Sequence, residues 1–242
     1  MIRTRIIPTL LVQDEYAVKT KNFKNPKYVG DILNIVRIFS DKKADELNIF
    51  DIGVSKMNTG INFDLIKNIA SNARMPLCYG GGISSMKDIE KIFSIGIEKI
   101  SISKHFFINE KILSLVAKKF GSQSIAITLN INKFEGKYFF HVTDFNERFE
   151  VIELIKKIEN LGAGEIIFNC IHKDGTESGY DEELINLIYP AVKIPITIVG
   201  GAKSLENINK ISKNFPLLGL GVGNLFIYKG KNKAVLISYP QR

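Results

Sequence analysis

The sequence lacks tryptophan altogether, and its 242 residues include only two cysteines and three histidines. Cys78 and Cys170 both fall in apolar, strand-like runs, so we interpret them as buried thiols in a reducing compartment. No metal-ligand spacing links these cysteines to His105, His141 or His172, and we therefore predict neither a metal site nor a cofactor.

Long hydrophobic runs are also absent. No stretch is apolar enough to cross a bilayer, and the first residues lead into a strand rather than a signal-peptide core. We therefore expect a cytoplasmic protein with no membrane partner. The chain is 45% hydrophobic and 24% charged, which suits one domain over residues 1–242 with a large core.

Acidic residues are fewer than basic ones, and the net charge is +8. A nucleic-acid face is one explanation. However, the lysines are scattered over helix-like segments with acidic neighbours, and no basic-aromatic motif emerges. We therefore favour solvated helix faces together with a site for an anionic ligand, and expect no nucleic-acid partner.

What the sequence does contain is an internal repeat. The stretch M-P-L-C-Y-G-G-G-I at Met75–Ile83 returns as I-P-I-T-I-V-G-G-A at Ile194–Ala202, 119 residues later. The same offset relates other segments without a gap. Solenoid repeats have periods of about 20–50 residues, so this longer period indicates two fused half-domains, about residues 1–119 and 120–242.

Strand-like and helix-like segments alternate along both halves. The predicted strands are Arg5–Val12, Glu46–Ile52, the segment after Pro76, Glu98–Ser103, Ser124–Ile131, Glu165–Ile171, the segment after Pro195, and Leu217–Val222. The predicted helices are Asp31–Asp41, Phe63–Ala73, one capped by Ser84 or Ser85, Asn109–Phe120, Glu150–Leu161, Asp181–Tyr189 and Ser204–Asn214. The simplest closed product is an α/β fold, a (β/α)8 TIM barrel of two duplicated half-barrels. A doubly wound open sheet is the alternative.

Three segments depart from this alternation. Residues Gln13–Gly30 are polar and lysine-rich, and we predict a long loop that serves as a lid. Lys133–Thr143 is predicted to be an inserted hairpin with Glu135 and Gly136 at its turn. The expected last helix is missing, and after Phe226 the chain indicates a turn and a short strand.

Glycines and hydroxyl residues follow several predicted strands, at the end of a barrel where chemistry gathers. Their backbone N–H groups can approach an oxyanion closely. Because the two halves are related, two such nests would face each other and suit a ligand with a phosphate at each end. The alternative is that these glycines only turn the chain. The candidate phosphate-binding residues are Gly81, Gly82, Ser103, Thr176, Gly200, Gly201, Gly223 and Asn224.

These residues resemble the cyclase subunit of imidazole glycerol phosphate synthase over about residues 3–228. The resemblance rests on R-I-I-P (Arg5–Pro8), V-K (Val18–Lys19), D-I (Asp51–Ile52), G-G-G-I (Gly80–Ile83), F-G-S-Q (Phe120–Gln123), G-A-G-E (Gly162–Glu165) and D-G-T-E-S-G-Y-D (Asp174–Asp181). It implies a half-barrel-duplicated (β/α)8 fold. It also implies a subunit that accepts ammonia from a glutaminase partner and cyclises a bisphosphorylated ribonucleotide in histidine biosynthesis.

The catalytic residues that the resemblance implies are only partly present. The family's two acid–base aspartates correspond to Leu11 and Asn130, which have no useful acid or base pKa. Lys19, Asp51 and Asp174 match the family. The cradle at Gly200, Gly201 and Gly223 also matches, whereas Ser103-Lys104 replaces an Asn-Thr pair in the other cradle.

At the opposite end of the barrel the resemblance is complete. The family closes its ammonia entrance with a charged ring, and Arg5, Glu46, Lys99 and Glu165 fill all four positions. Glu98 is acidic where the family meets its glutaminase. The alternative is that the ring is a salt-bridge cluster that only plugs the barrel. We favour conduction.

The chain's ending K-A-V-L-I-S-Y-P, the V-K-T of the long loop (Val18–Thr20) and T-L-L-V (Thr9–Val12) resemble a subgroup associated with bacterial surface-polysaccharide gene sets. That resemblance implies a glutaminase, this barrel and a third, sugar amidotransferase that together make an acetamidino sugar. Three hypotheses follow. The chain delivers ammonia for sugar amidination, with the cyclisation lost; or it is an active cyclase making imidazole glycerol phosphate and AICAR from PRFAR and ammonia; or it is a non-catalytic barrel that binds a phosphorylated small molecule.

Overall fold

The computed structural model describes residues 4–54, 60–141 and 148–240, with the backbone alone for His141, Arg148 and Phe149. The strands in this part of the chain are β1 Ile6–Gln13, β2 Tyr16–Lys21, β3 Lys24–Asp31, β4 Leu47–Asp51, β5 Leu77–Gly80, β6 Lys99–Ile102, β7 Ile125–Phe134, β8 Lys137–His141, β9 Arg148–Glu150, β10 Glu165–Cys170, β11 Ile196–Val199, β12 Leu218–Val222, β13 Tyr228–Lys229 and β14 Ala234–Val235. The α-helices are α1 Ile32–Asp41, α2 Phe63–Asn72, α3 Met86–Ile95, α4 Lys104–Ile108, α5 Lys111–Phe120, α6 Val151–Asn160, α7 Glu182–Ile188, α8 Leu205–Asn214 and α9 Asn224–Ile227.

Eight of these strands form a closed parallel barrel. Their order is β1-β4-β5-β6-β7-β10-β11-β12, and β12 pairs with β1 again. The pairing of β7 with β10, with Ala126 opposite Glu165, joins the two halves. The predicted (β/α)8 barrel is therefore confirmed, and the open doubly wound sheet is wrong because no edge is left between the halves.

The element boundaries repeat with the offset seen in the sequence. Strands β5 and β11 begin at Leu77 and Ile196, 119 residues apart. Helices α3 and α8 begin at Met86 and Leu205 with the same spacing. Both helices start after a serine, and Ser85, rather than Ser84, caps α3 through a reciprocal bond with Asp88. The assignment of the halves as domain units stays a prediction.

Two hydrophobic layers follow from the alternation of side chains along each strand. The larger layer lies between the strands and the surrounding helices, where α1 buries Ile32, Ile35, Val36 and Phe39. A small second cluster fills the inside of the barrel and consists of Cys78, Ala126, Ile167 and Val199, with Phe50 against it. We call the inside of the barrel the lumen.

The prediction that residues 13–30 form a loop is wrong. They form an antiparallel hairpin, β2–β3, whose turn places Asn22 and Phe23 at φ 51° and 61°. Its many lysines do not prevent strand formation, because β3 is largely exposed and its lysines reach solvent, whereas the buried part of the hairpin is Ala17–Thr20 of β2. The second hairpin, β7–β8, is confirmed with Glu135 and Gly136 at its turn, although Val142 and Thr143 lie outside the described residues.

The tail replaces the eighth helix, as predicted. The four-residue helix α9 leads into the small β13–β14 hairpin. The chain then returns along the outside of the barrel, where Ser238 N–H donates to Phe226 O. Tyr239 Oη donates to Ile6 O at 2.9 Å, which attaches the tail to the first strand. Within the described residues, no helix has the length and apolarity needed to cross a membrane.

Candidate functional site

At the end of the barrel where the strands begin, four charged side chains from four strands form a closed ring. Arg5 contacts Glu46 at 2.7 Å and Glu165 at 2.9 Å. Lys99 contacts the same two carboxylates at 2.7 and 2.6 Å. Each cation therefore lies between two anions, and each carboxylate receives two charge-assisted hydrogen bonds. We call this cluster the charged ring.

The surroundings of the ring keep it charged. Burial would raise the pKa of Glu165, but Lys99 and Arg5 outweigh burial and lower it to about 2. Burial would lower the pKa of Lys99, but the two carboxylates raise it well above its usual range. Glu165 and Lys99 are thus both charged at physiological pH.

Two residues that the sequence did not single out complete the ring. Thr197 donates to Glu165 at 2.5 Å. Gly219 on β12 leaves space for this contact, because a Cβ there would lie 2.2 Å from Thr197 Oγ1 and 3.1 Å from Arg5. Both residues follow from the strand alternation that also places Glu165 in the lumen, so their positions could have been inferred once the strands were aligned.

At the opposite end, which we call the mouth, the strand ends and following loops enclose a pocket. Its walls come from the first strand, the β2–β3 hairpin and the loops of the second half. The residues that line it are Thr9, Leu11, Lys19, Phe23, Phe50, Asn169, Asp174, Gly175, Glu177, Val199, Gly200, Gly201, Ala202, Gly221, Gly223 and Asn224. The β2–β3 hairpin therefore forms part of the pocket wall through Lys19 and Phe23, and its role as a lid stays a prediction.

Lys19 supplies the buried cation of this pocket. Its ammonium donates to Thr9 O at 2.6 Å and is only 8% exposed. Burial lowers the pKa of Lys19 to about 8, although Asp174 opposes this shift. A Cβ at Gly223 would lie 3.0 Å from Lys19 Nζ, so the ammonium faces the glycine cradle directly.

Asp174 fastens the hairpin over the pocket. Its carboxylate accepts hydrogen bonds from Thr20 Oγ1 at 2.7 Å and from Phe23 N–H at 3.1 Å. Its carbonyl oxygen accepts from Asn22 N–H at 3.1 Å. In this arrangement the carboxylate holds the β2–β3 hairpin closed.

The two acid–base positions carry groups that do not titrate near neutrality. Leu11 lines the pocket, and Asn130 Oδ1 accepts a hydrogen bond from Asn169 Nδ2 at 3.3 Å. Asp51, at the end of β4, accepts from Gly53 N–H and Val54 N–H. Burial raises the pKa of Asp51, while these donors oppose the shift.

The two predicted phosphate nests differ in the structure. Gly200 and Gly201 have φ of 105° and 93°, and a Cβ at Gly201 would lie 2.3 Å from Gly179 O. They line the pocket together with Gly223 and Asn224. Of the residues that the structure describes, this pocket does not include the remaining candidates Gly81, Gly82, Ser103 and Thr176.

A carboxylate missed in the sequence faces the better nest. Glu177 accepts from Asn224 Nδ2 at 3.2 Å and from Lys233 at 2.8 Å. It therefore occupies part of the donor capacity of Asn224, which the sequence assigns to phosphate. Thr176 instead donates to Lys173 O within its own loop.

Glu98 has a structural contact at the ring end. Its carboxylate accepts from Leu77 N–H at 2.9 Å, while its side chain is exposed. The bond satisfies the first backbone donor of β5. Its role in a partner interface stays a prediction.

The sequence profile of the histidine biosynthesis protein family matches residues 5–232, which includes the charged ring and the whole mouth. The chain belongs to the histidine biosynthesis protein family. Within this family it is 44% identical to a Vibrio vulnificus protein with the provisional name imidazole glycerol phosphate synthase subunit hisF3, over 99% of this chain and 94% of that one. A Pseudomonas aeruginosa family member, provisionally named subunit hisF2, is 39% identical over 99% of this chain and 97% of its own length.

A family member with an unqualified name is more distant. The imidazole glycerol phosphate synthase subunit HisF of Chlorobaculum tepidum is 34% identical over 86% of this chain and 84% of that protein.

Proposed function

We propose that this chain is the ammonia-conducting barrel subunit of a glutamine-dependent complex and that it has lost the ancestral cyclisation. The observation that carries the proposal is the contrast between the ends of the barrel. Arg5 and Lys99 each pair with Glu46 and Glu165. The mouth, in contrast, presents Leu11 and Asn130 where cyclisation needs a general acid and a general base.

The relatives support a paralogue. Identity is higher to the provisionally named hisF3 and hisF2 subunits, at 44% and 39%, than to the Chlorobaculum tepidum subunit, at 34%. We therefore assign this chain to the divergent subgroup, with a glutaminase as the partner that docks around the ring and Glu98.

The ring suits a gate because one side chain can open it. Lysine carries a compact ammonium on a flexible stem, whereas the planar Arg5 guanidinium is held at two nitrogens by the carboxylates. Withdrawal of Lys99 would leave an opening lined by Glu46 and Glu165. Docking of the glutaminase would trigger this movement, and neutral ammonia would enter the lumen.

We further propose that the acceptor of the ammonia is an acetamido sugar held by a third, amidotransferase subunit. The mouth retains a phosphate-sized site formed by Gly200, Gly201 and Gly223 with the Lys19 ammonium beside it. The Glu177 carboxylate lies beside the Asn224 amide and accepts its hydrogen bond, so it reduces the affinity of this site for phosphate. The pocket therefore serves as an exit with one weak anion site rather than as a cradle for a bisphosphate.

The competing function, cyclisation in histidine biosynthesis, is favoured by the presence of Lys19, Asp51 and Asp174. The test is direct: the purified chain is supplied with ammonium and PRFAR, beside an aspartate-bearing homologue. We expect negligible turnover, because each lost acid–base group removes about 10²–10⁴-fold. Turnover within about tenfold of the homologue would contradict the proposal.

Conduction is tested in the complex with the glutaminase. The measured quantity is product formed from glutamine, compared with product formed from free ammonium, for wild type and Lys99→Ala. We expect the variant to lose the glutamine-driven route, because a ring without Lys99 cannot close behind the ammonia and lets it escape, while it keeps the ammonium-driven route. Lys119→Ala is the matched control, since Lys119 is an exposed lysine whose ion pair is with exposed Glu90. If both routes fall together, or neither changes, the ring is a structural plug.

A further inference from the structure

Asn48 on β4 is a buried amide that the proposed function leaves unexplained. Asn48 is only 1% exposed. Neither Oδ1 nor Nδ2 of its side chain has a hydrogen-bond partner among the residues that the structure describes. An amide buried without partners destabilises a protein, and buried polar groups in native proteins are almost always paired with protein or bound water. A molecule bound beside Asn48 would supply the hydrogen bonds that the described residues do not.

The strand pattern places this amide in the lumen, next to the ring. Glu46, which directly precedes β4 and lies two residues before Asn48, belongs to the ring, and alternate residues of extended chain share a face. The intervening Leu47 and the following Ile49 belong to the outer core. On the neighbouring strands, Asn48 lies opposite Thr9 and Cys78.

The two halves of the barrel differ at this level. The residue 119 positions after Asn48 is Ile167, which belongs to the apolar lumen cluster. Apart from Asn48, the polar lumen groups near this level are already paired: Ser101 and Thr128 share a hydrogen bond, and Thr197 bonds Glu165. Asn48 alone of these four side chains offers both a free donor and a free acceptor.

We infer that Asn48 is a binding site for one small neutral molecule that donates and accepts hydrogen bonds, occupied by water at rest and by ammonia in transit. Its Nδ2–H groups face the lone pair of such a molecule, and its Oδ1 accepts one of the molecule's N–H or O–H bonds. A charged ammonium is disfavoured on the way to the mouth, because the adjoining lumen cluster of Cys78, Ala126, Ile167 and Val199 is apolar and cannot solvate a charge. The site would thus take ammonia in its neutral form just after the ring. This inference rests on the proposed conduction.

Occupancy is tested by crystal structures of the chain at a resolution that reveals ordered water. We expect a single solvent-sized peak within hydrogen-bond distance of both Oδ1 and Nδ2 of Asn48. Asn48→Ile, which copies the second half of the barrel, should lose the peak. A dry lumen in the wild-type protein would overturn the inference. If Asn48→Ile does not fold, Asn48→Ala removes the same amide.

Transit is tested in the complex with its glutaminase and the third enzyme, using glutamine labelled with ¹⁵N at the amide and unlabelled ammonium in the bulk. The ratio of ¹⁵N to ¹⁴N in the product reports ammonia that travelled through the barrel. Asn48→Ile should lower this ratio about two- to tenfold, the factor that corresponds to one neutral hydrogen bond. Ile167→Val changes the lumen without altering an amide and should leave the ratio unchanged.

The ring variant separates this inference from the proposed function. If Lys99→Ala lowers the ratio but Asn48→Ile does not, conduction stands and Asn48 holds a structural water only, which overturns the inference. If neither variant lowers the ratio, conduction itself is wrong. A fall in the ratio for both variants, with Ile167→Val unchanged, supports the site.

Discussion

At the ring end of the barrel four ionised side chains satisfy one another, whereas at the mouth the single buried cation, Lys19, has only a carbonyl oxygen within hydrogen-bond distance among the described residues. Pairing with Lys99 and Arg5 lowers the pKa of Glu165 to about 2 against the effect of its burial, while burial lowers the pKa of Lys19 to about 8. The same barrel thus stabilises charge at one end and penalises it at the other. A gate built from ion pairs can remain ordered without ligand. An anion site whose lysine has no ion-pair partner is stabilised most when an anion binds.

The largest effect is expected at the ring. Lys99→Met leaves Glu46 and Glu165 with Arg5 as the one cation of the ring, and loss of one partner of a buried pair costs about 3–5 kcal/mol of unfolding free energy. The measurement is urea denaturation. The exposed control Lys119→Met should change stability by less than about 0.5 kcal/mol. Adding Glu165→Gln to Lys99→Met should recover part of the loss; no recovery would mean that packing, rather than charge, holds the ring.

The next effect is the pH dependence contributed by Lys19. Its pKa is about 8 in the folded protein, against 10.5 for an ordinary lysine. The unfolded chain therefore binds more protons between these pH values, and wild-type unfolding free energy should rise with pH by at most about 3 kcal/mol. The quantity to measure is the difference between wild type and Lys19→Met in urea at pH 8 and pH 10. A difference that does not change with pH would show that Lys19 is solvated.

A smaller effect is expected at the glycine cradle. Gly201→Ala places a Cβ 2.3 Å from Gly179 O at a φ of 93°, whereas Gly96→Ala meets nothing within 4 Å at a φ of 108°. The control should lose about 1 kcal/mol from backbone strain. The cradle variant should lose about 1–3 kcal/mol more from the clash, and its affinity for sulfate should fall. Equal stabilities of the two variants would show that the backbone around Gly201 shifts to accommodate the Cβ. Unchanged sulfate binding would show that the anion binds elsewhere.

The smallest effect on stability is expected at the acid–base positions. Asn130→Asp keeps an oxygen that can accept from Asn169, so the unfolding free energy should change by less than about 0.5 kcal/mol. Together with Leu11→Asp it restores both carboxylates, and some cyclisation of PRFAR should return. The Ser103-Lys104 cradle limits that gain. If the double variant folds but is as inactive as wild type, the altered Ser103-Lys104 cradle also contributes to the loss of cyclisation.

Much of the molecule could be predicted from the sequence, because its determinants are local and repeated. Apolar runs after Pro76 and Pro195 predict β5 and β11 to within one residue, and the serine before each following helix predicts its start. The 119-residue offset also predicts that the two halves share one architecture. The β2–β3 hairpin was not predicted. Its lysine-rich composition indicated a loop, although a hairpin was predicted at the equivalent place in the second half.

Other features were decided only by the tertiary structure. The charged ring joins residues 5, 46, 99 and 165, and only closure of the barrel brings them to contact distances of 2.6–2.9 Å. The same closure buries Lys19, directs Asp174 to the hairpin and leaves Asn48 without a partner in the described part of the lumen. Local sequence determines which segments form strands, whereas burial and pairing depend on which strands become neighbours.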